Sequence, residues 1–187
     1  MPQLRFLEPH EVEELLAVPH LRADTGLRNR VIMQLMWETG ARVGEILALR
    51  PRDVLLSEKK VIIQQGKGNK TRVVYWRSEE LGMLIGKWKE RRPNSPLLFP
   101  TVRSESGKGK AIKPRSFRLQ FARYVETAGL PRWVTPHVLR HSFATDFLNR
   151  GGNIRTLQLI LGHSSLATTE KYLHITDKDV AVAMRGY

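Results

Sequence analysis

Residues 135–151, TPHVLRHSFATDFLNRG, and residues 159–174, LILGHSSLATTEKYLH, are the most informative stretch of this chain. In the first segment, apolar residues recur at the spacing of a helix, which Thr135 and Pro136 would open. A threonine oxygen can accept a free N–H group of a first helical turn, and proline is tolerated there. A pair of glycines then ends the helix.

Four polar side chains of this stretch are candidates for one site. His137 and Arg140 are three residues apart, so a helix carries them on one face. A second helix, residues 153–161, would end at a glycine and leave His163 at its end. Tyr172 follows nine residues later, in a further short helical segment. Brought together, these side chains would suit a site that handles phosphate.

These motifs resemble those of the tyrosine recombinases, or phage-type integrases, and most closely the Xer and integrase branch. The family carries H-x-x-R and then L-G-H with a tyrosine nine residues on; here they read PHVLRH at 136–141 and LGHSSLATTEKY at 161–172. Residues 39–54, TGARVGEILALRPRDV, resemble its first arginine box, and residues 66–70, GKGNK, resemble its catalytic-lysine hairpin. Four motifs in the right order are far more specific than any one of them.

The resemblance implies a fold, a reaction and a site. The implied fold class is α+β, mainly α-helical, with a small antiparallel β-sheet or hairpin. Residues 1–187 would form a single catalytic domain without the N-terminal core-binding domain of complete members, either as an excised domain or as a short family member. The implied reaction is DNA breaking and rejoining through a 3′-phosphotyrosyl intermediate on Tyr172, with no cofactor and no metal. The implied catalytic residues are Arg42, Lys67, His137, Arg140, His163 and Tyr172.

The chemistry of these residue types agrees with that implication. A tyrosine phenol has a reference pKa of about 10, so its attack on phosphorus needs a proton acceptor, for which His137 is the expected residue. Arg42 and Arg140 each offer a planar fork of donors to the non-bridging oxygens, and His163 can add a third hydrogen bond. Lys67, with a reference pKa of about 10.4, can donate a proton to the departing 5′ oxygen.

Two further residues, Glu45 and His141, are expected to support the site. Arg42 would lie at the N-terminus of a helix over residues 43–49, where backbone N–H groups also favour an anion. Glu45, three residues on, is expected to orient the site by hydrogen bonding. Taken alone, Arg42 and Glu45 would be interpreted as a surface ion pair. His141 is interpreted as a packed, hydrogen-bonded helper.

The remaining elements are assigned from periodicity and turn residues. Further helices are predicted over 8–17, 26–38, 78–92, 114–128 and 177–184, and strands over 54–56, 60–64 and 71–76. The hairpin tip would project lysines into a DNA groove. The basic segment 101–113 is predicted either to order on DNA or to be a plain linker. Contacts with backbone phosphates are predicted for Lys70 and Arg72, and Arg115, Arg118 and Arg123 are predicted to face nucleic acid.

Composition agrees with a DNA partner but does not identify it. The chain has 187 residues and 41% hydrophobic content, which suits one globular domain. Its 31 basic and 18 acidic residues give a net charge of +13, which attracts polyanions.

The absence of cysteine excludes disulfides and cysteine nucleophiles and fits the cytoplasm, at the nucleoid. No apolar run approaches the about 20 residues of a membrane span. The resemblance to the tyrosine recombinases implies that the partner is double-stranded DNA with recombination sites. It also implies a protein that is a monomer when free and a tetramer on paired sites.

Three alternatives compete with this interpretation. A DNA-binding regulator could keep the fold and lack productive chemistry, although it would not need both a nucleophile and a general acid. A basic RNA- or ribosome-associated protein would explain the charge but not the motif spacings. His137 and His141 also have the four-residue spacing of a zinc pair, but Val138 stands where the zinc hydrolase motif has glutamate.

Overall fold

The computed structural model describes residues 5–64, 71–102, 109–163, 165, 167–170 and 172. In these ranges the protein is mainly helical with one small antiparallel sheet, as predicted. None of the helices in this part of the chain combines the length and hydrophobicity that a membrane span needs. The helices are α1 (Pro9–Ala17), α2 (Asp24–Thr39), α3 (Val43–Leu47), α4 (Glu79–Arg91), α5 (Pro114–Thr127), α6 (Pro136–Asn149), α7 (Ile154–Leu161) and α8 (Ala167–Glu170). The strands are β1 (Val54–Leu55), β2 (Lys60–Ile63) and β3 (Arg72–Tyr75), and a 3-10 turn at Pro51–Asp53 precedes β1.

Helix α2 is the centre of the fold and packs against α1, α3, α4, α6 and β3. Its predicted apolar stripe is buried, including Val31 and Leu35. Because neighbours cover several of its sides, polar residues of α2 are buried as well. Glu38 accepts hydrogen bonds from the backbone N–H groups of Arg77 at 3.0 Å and Ser78 at 2.9 Å. These bonds attach the start of α4 to α2.

Two glycines end the helices next to the predicted site. Helix α2 ends at Gly40 with φ 64°, and α7 ends at Gly162 with φ 65°, a backbone conformation that favours glycine. A Cβ atom at Gly40 would also lie 2.4 Å from the ring of Phe143. Both turns are therefore sharp, and each places a backbone carbonyl beside Arg140.

Helix α6 begins as predicted, but its cap differs from the prediction. Pro136 is the first helical residue and Thr135 is the N-cap, yet the threonine side chain makes no capping hydrogen bond, so that detail was wrong. The first turn is closed by the backbone, where Val138 N–H donates to the Thr135 carbonyl at 2.8 Å.

The sheet has the order β1-β2-β3, with both pairs antiparallel. Val61 pairs with Val54 on one side and with Val74 on the other, and all three side chains are buried. The three strands are one or two residues shorter than predicted. Residues 65–70 lie outside the described residues, so the predictions for the hairpin tip, Lys67 and Lys70, stay predictions.

The two ends of the predicted basic loop lie together. Thr101 N–H donates to the Lys110 carbonyl at 2.7 Å, and Pro100 forms an isolated bridge with Ala111. Residues 103–108 of this loop lie outside the described residues, as does the predicted tail helix over 177–184. Whether the loop binds DNA stays a prediction.

Candidate active site

A cavity of about 740 Å³ opens between α3, α5 and α6. Its basic lining side chains are Arg42, Arg118, Arg132, His137 and Arg140. Arg42 and Arg140 come from motifs that are far apart in the sequence, and the packing of α2 against α3 and α6 brings them to one cavity. Two arginines that bind one anion require this arrangement.

Arg140 is a fully buried cation at the back of the cavity, with 1% of its surface exposed. Its Nη1 donates to the Gly40 carbonyl at 2.6 Å, and its Nη2 donates to the Leu161 carbonyl at 2.8 Å. Burial, and then the positive charge of Arg42, lower its pKa to about 10. The guanidinium therefore stays charged at neutral pH, and it is close enough to Arg42 for the two charges to repel each other.

Arg42 is the more accessible of the two arginines and is the N-cap residue of α3. Its side chain is 42% exposed, and its Nη1 donates to Glu45 Oε1 at 3.1 Å. Its backbone N–H donates to Glu45 Oε2 at 2.7 Å. Glu45 therefore holds the main chain of Arg42 and binds its guanidinium through Nη1, while the side chain of Arg42 lines the cavity; the predicted orienting role of Glu45 stays a prediction.

Arg72 has a different place from the one predicted. Its side chain is 9% exposed and pairs with Glu45, with Nη1 to Oε1 at 2.9 Å and Nη2 to Oε2 at 2.7 Å. Its Nε donates to the Ile160 carbonyl at 2.8 Å. The predicted contact between Arg72 and backbone phosphate is therefore corrected, because a buried carboxylate and a carbonyl already take three of its N–H groups.

His163 contacts Arg140 directly. Its Nε2 lies 3.0 Å from Arg140 Nη2, and its Nδ1 lies 2.9 Å from Thr169 Oγ1. A guanidinium nitrogen can only donate, so Nε2 accepts and the proton of the neutral ring is on Nδ1, which donates to Thr169. In this state His163 orients Arg140. The predicted hydrogen bond from Nε2 to phosphate requires a proton on that nitrogen.

Tyr172 is buried, with 1% of its surface exposed, and its Oη lies 2.7 Å from His141 Nδ1. It follows α8 instead of lying within a helix, and its N–H donates to the Thr169 carbonyl at 3.0 Å. In this buried arrangement the phenol contacts His141, and the role of His137 as the proton acceptor stays a prediction. His141 lies one turn further along α6, where it meets the phenol.

The phenol of Tyr172 is harder to ionise than an ordinary tyrosine. Burial raises its pKa to about 12, and the charges of Arg140 and Arg42 oppose that rise. At this pKa about one phenol in 10⁵ is ionised at neutral pH. A proton acceptor at hydrogen-bonding distance is therefore necessary if Tyr172 acts as a nucleophile, and His141 Nδ1 is at that distance.

His137 is exposed on the first turn of α6 and lines the cavity. Its ring meets that of His141 edge to face, with centroids 4.7 Å apart. Within the described residues, no group of three or more His, Cys, Asp or Glu side chains is placed to hold a metal ion.

The predicted DNA contacts on α5 divide into two kinds. Arg115 and Arg118 are both exposed, but Arg118 lines the cavity, whereas Arg115 lies at the start of the helix and is not among the lining residues. Arg132 also lines the cavity and was not predicted. Its signal in the sequence is weak, since it is one basic residue in the short connection between α5 and α6. Only the tertiary structure places it on the same cavity as Arg42.

The ionisation of Tyr172 can be measured directly. The phenolate absorbance of the wild type minus that of Tyr172→Phe is expected to have its midpoint near pH 12, because burial raises the pKa. The raised pKa also makes the stability of the folded protein depend on pH. The unfolded chain would ionise at a pKa of about 10, so stability from this group is full below about pH 10 and is lost as pH rises toward about 12. A midpoint at the ordinary value would contradict the buried placement.

Comparison with known sequences places the chain in a family. Residues 5–179 match the sequence profile of the phage integrase family. Tyrosine recombinase XerD of Ralstonia nicotianae is 35% identical over 182 residues, which cover 91% of this chain and 56% of that protein. Tyrosine recombinase XerA of Pyrococcus horikoshii is 36% identical over 180 residues, which cover 96% of this chain and 60% of that protein. The chain thus spans less than two thirds of the length of these relatives.

Solved structures share the fold. The crystal structure of XerA recombinase has a TM-score of 0.79 and 32% identity, covering 97% of this chain and 64% of that one. XerH site-specific recombinase, bound to palindromic difH substrate in a post-cleavage complex, has a TM-score of 0.79 and 30% identity, with coverages of 97% and 53%. The catalytic domain of bacteriophage HP1 integrase has a TM-score of 0.63 and 28% identity, with coverages of 96% and 94%. This chain therefore belongs to the phage integrase family, the tyrosine recombinases that its four motifs predicted.

Proposed function

We propose that the chain is the single catalytic domain of a site-specific DNA recombinase that breaks and rejoins DNA through a 3′-phosphotyrosyl intermediate at Tyr172. The observation that carries this proposal is the convergence of Arg42 and Arg140 on one cavity. The charge of each arginine also acts on the phenol of Tyr172. Two cations that repel each other are stabilised by an anion between them, and a phosphodiester offers two non-bridging oxygens to their N–H groups.

In the proposed first step, Tyr172 Oη forms a bond to phosphorus and the bond between phosphorus and the 5′ oxygen breaks. The phenolic proton passes to His141 Nδ1, which lies 2.7 Å away. Arg42 and Arg140 stabilise the negative charge on the non-bridging oxygens. By family resemblance, Lys67 gives a proton to the leaving 5′ oxygen. The phosphodiester energy is kept in the tyrosyl ester, so a 5′ hydroxyl can reverse the step on another strand.

The buried state of Tyr172 requires a rearrangement before this step. A phenol with 1% of its surface exposed cannot contact a DNA phosphorus atom. The rearrangement has to break the hydrogen bond between its phenol and His141, the bond from its N–H to the Thr169 carbonyl and its packing in the apolar cluster with Phe143 and Leu161. DNA that enters the cavity would also draw Arg140 toward phosphate and away from His163 Nε2, which loosens the contact with the segment that carries the tyrosine.

The proposed partner is double-stranded DNA with a specific recombination site. The net charge of +13 supports binding to a polyanion. The XerH structure, which contains difH substrate, gives a precedent in a relative. We propose a monomer when free and a tetramer on paired sites, acting in the cytoplasm at the nucleoid.

A pool of nicked duplexes with randomised sequence tests the proposal. Cleavage beside the nick releases a short fragment, so the religation step is blocked and the protein stays attached. We expect an SDS-resistant adduct in which the protein is joined to the 3′ phosphate of the strand segment on the 5′ side of the break, so the label is placed on that segment, and sequencing of the recovered DNA would define the site. A gel shift without any adduct would favour the alternative, a DNA-binding regulator that lacks productive strand exchange.

A further inference from the structure

Arg72 has an environment that is unusual for a surface strand. It is the first residue of β3, yet its guanidinium is buried between two helices. It donates two hydrogen bonds to the Glu45 carboxylate of α3, at 2.9 and 2.7 Å, and one to the Ile160 carbonyl of α7, at 2.8 Å. These three bonds use the fixed fork of an arginine, which a lysine could not reproduce.

Glu45 is shared between two arginines. Both of its oxygens accept from Arg72, whereas the guanidinium of Arg42 donates to it through Nη1 alone, at the longer distance of 3.1 Å. Burial by itself raises the pKa of the Glu45 carboxyl, but the hydrogen bonds from Arg72 and from the Arg42 N–H, with the two guanidinium charges, hold it below its usual value. Glu45 is therefore ionised at neutral pH, although only 14% of its side chain is exposed.

An ionised, mostly buried carboxylate strongly requires a cationic partner. Arg72 satisfies most of that requirement, so Arg42 keeps a side chain that is 42% exposed in the cavity. If a neutral residue replaced Arg72, Glu45 would keep one cationic partner among its described contacts, which is Arg42. Its donors would then turn to the carboxylate and away from any anion.

We propose that Arg72 is a positioning residue that neutralises Glu45 and so keeps the Arg42 guanidinium available to bind the phosphate in the cavity. The inference rests on the proposed function, in which that phosphate belongs to DNA. Arg72 also holds the end of α7, because Ile160 is adjacent to Leu161, whose carbonyl accepts from Arg140. One side chain thus supports the positions of both arginines.

The test compares Arg72→Met with the double variant Arg72→Met, Glu45→Gln. Inorganic phosphate is the probe, titrated into each protein while the side-chain Nε–H signal of Arg42 is followed by NMR. We expect Arg72→Met to weaken phosphate binding at least about tenfold, since the Arg42 guanidinium then pairs with the Glu45 carboxylate. The double variant, which has no carboxylate to compete, is expected to recover most of that loss. Such a recovery is the opposite of what a merely structural link predicts, because the double variant lacks both members of the pair.

Adduct formation with saturating nicked DNA gives a second readout. Arg72→Met is expected to slow adduct formation by about 10²-fold, while the Kd for DNA changes by less than about threefold. The double variant is expected to form the adduct faster than Arg72→Met. Arg91→Met is the matched control, because Arg91 at the end of α4 forms an exposed ion pair with Asp24 of α2. This variant should behave as the wild type. If Arg72→Met does not fold, Arg72→Gln, which also removes the positive charge, is compared with and without Glu45→Gln in the same way.

The outcomes separate this inference from the proposed function. A double variant that binds phosphate no better than Arg72→Met would overturn the role of Arg72. A wild-type protein that never forms an adduct would overturn the proposed function, and the phosphate titration would still decide whether Arg72 keeps Arg42 available.

Discussion

Tyr172→Phe is expected to abolish the SDS-resistant adduct, a loss of about 10⁴-fold or more, because it removes the only atom that can bond to phosphorus at this position. The ring stays in place, since Tyr172 packs with Phe143, Leu157 and Leu161 in an apolar cluster. The lost hydrogen bond to His141 costs about 1 kcal/mol, which is too little to unfold the protein. Adduct yield on nicked DNA, measured at equal DNA occupancy, checks the prediction.

The control for this prediction is another tyrosine. Tyr75 is 61% exposed on β3, so Tyr75→Phe removes a phenol that is more accessible than Tyr172. It is expected to leave adduct formation at the wild-type rate. If Tyr172→Phe still forms the adduct, or if Tyr75→Phe loses it, Tyr172 is not the nucleophile. Mass spectrometry of the attached peptide would then identify the residue that is.

Arg140→Gln is expected to slow adduct formation by about 10³-fold, since it removes both a full charge and the donors aimed at the developing oxyanion. It also leaves the carbonyls of Gly40 and Leu161 without their donor, at a cost of about 1–3 kcal/mol for each buried acceptor. Rates at saturating DNA, together with thermal unfolding, separate the two effects. Arg140→Lys keeps the charge without the planar fork and should restore only part of the rate.

Arg118→Gln is the matched control for Arg140. Arg118 lines the same cavity from α5 but is exposed, so its loss should weaken DNA binding while the rate at saturation changes little. A folded Arg140→Gln protein that cleaves at near the wild-type rate would contradict the role of Arg140. Equal rate losses for both variants would show that the cavity only binds DNA and does not stabilise the reaction.

The helices and strands were predictable because their signals are local. The apolar spacing of α1, α2, α4 and α5 gave their buried faces, and glycines at 40 and 162 marked the ends of two helices. The errors were small and also local. Strand ends shifted by one residue or two, and the hydroxyl of Thr135 does not cap α6, because the backbone closes that turn itself.

The roles of the polar residues were less predictable, because they depend on contacts between distant segments. Arg72 was assigned to DNA on the grounds of its charge and its place beside a hairpin, whereas 88 residues of chain separate it from the Ile160 carbonyl that it binds. His141 was interpreted as a helper, yet it holds the phenol of Tyr172, 31 residues away. Arg132 gave no motif signal at all.

The sequence by itself determined which residue types this protein has for phosphate chemistry, the helices that carry them and the family to which it belongs, because motifs and periodicities are properties of short segments. Only the tertiary structure decided how those residues are paired: Arg42 with Arg140 around one cavity, Glu45 with Arg72, and Tyr172 with His141. The physical reason is that a guanidinium or an imidazole can satisfy its hydrogen bonds in many ways, and the packing of α2, α3, α6 and α7 selects one of them.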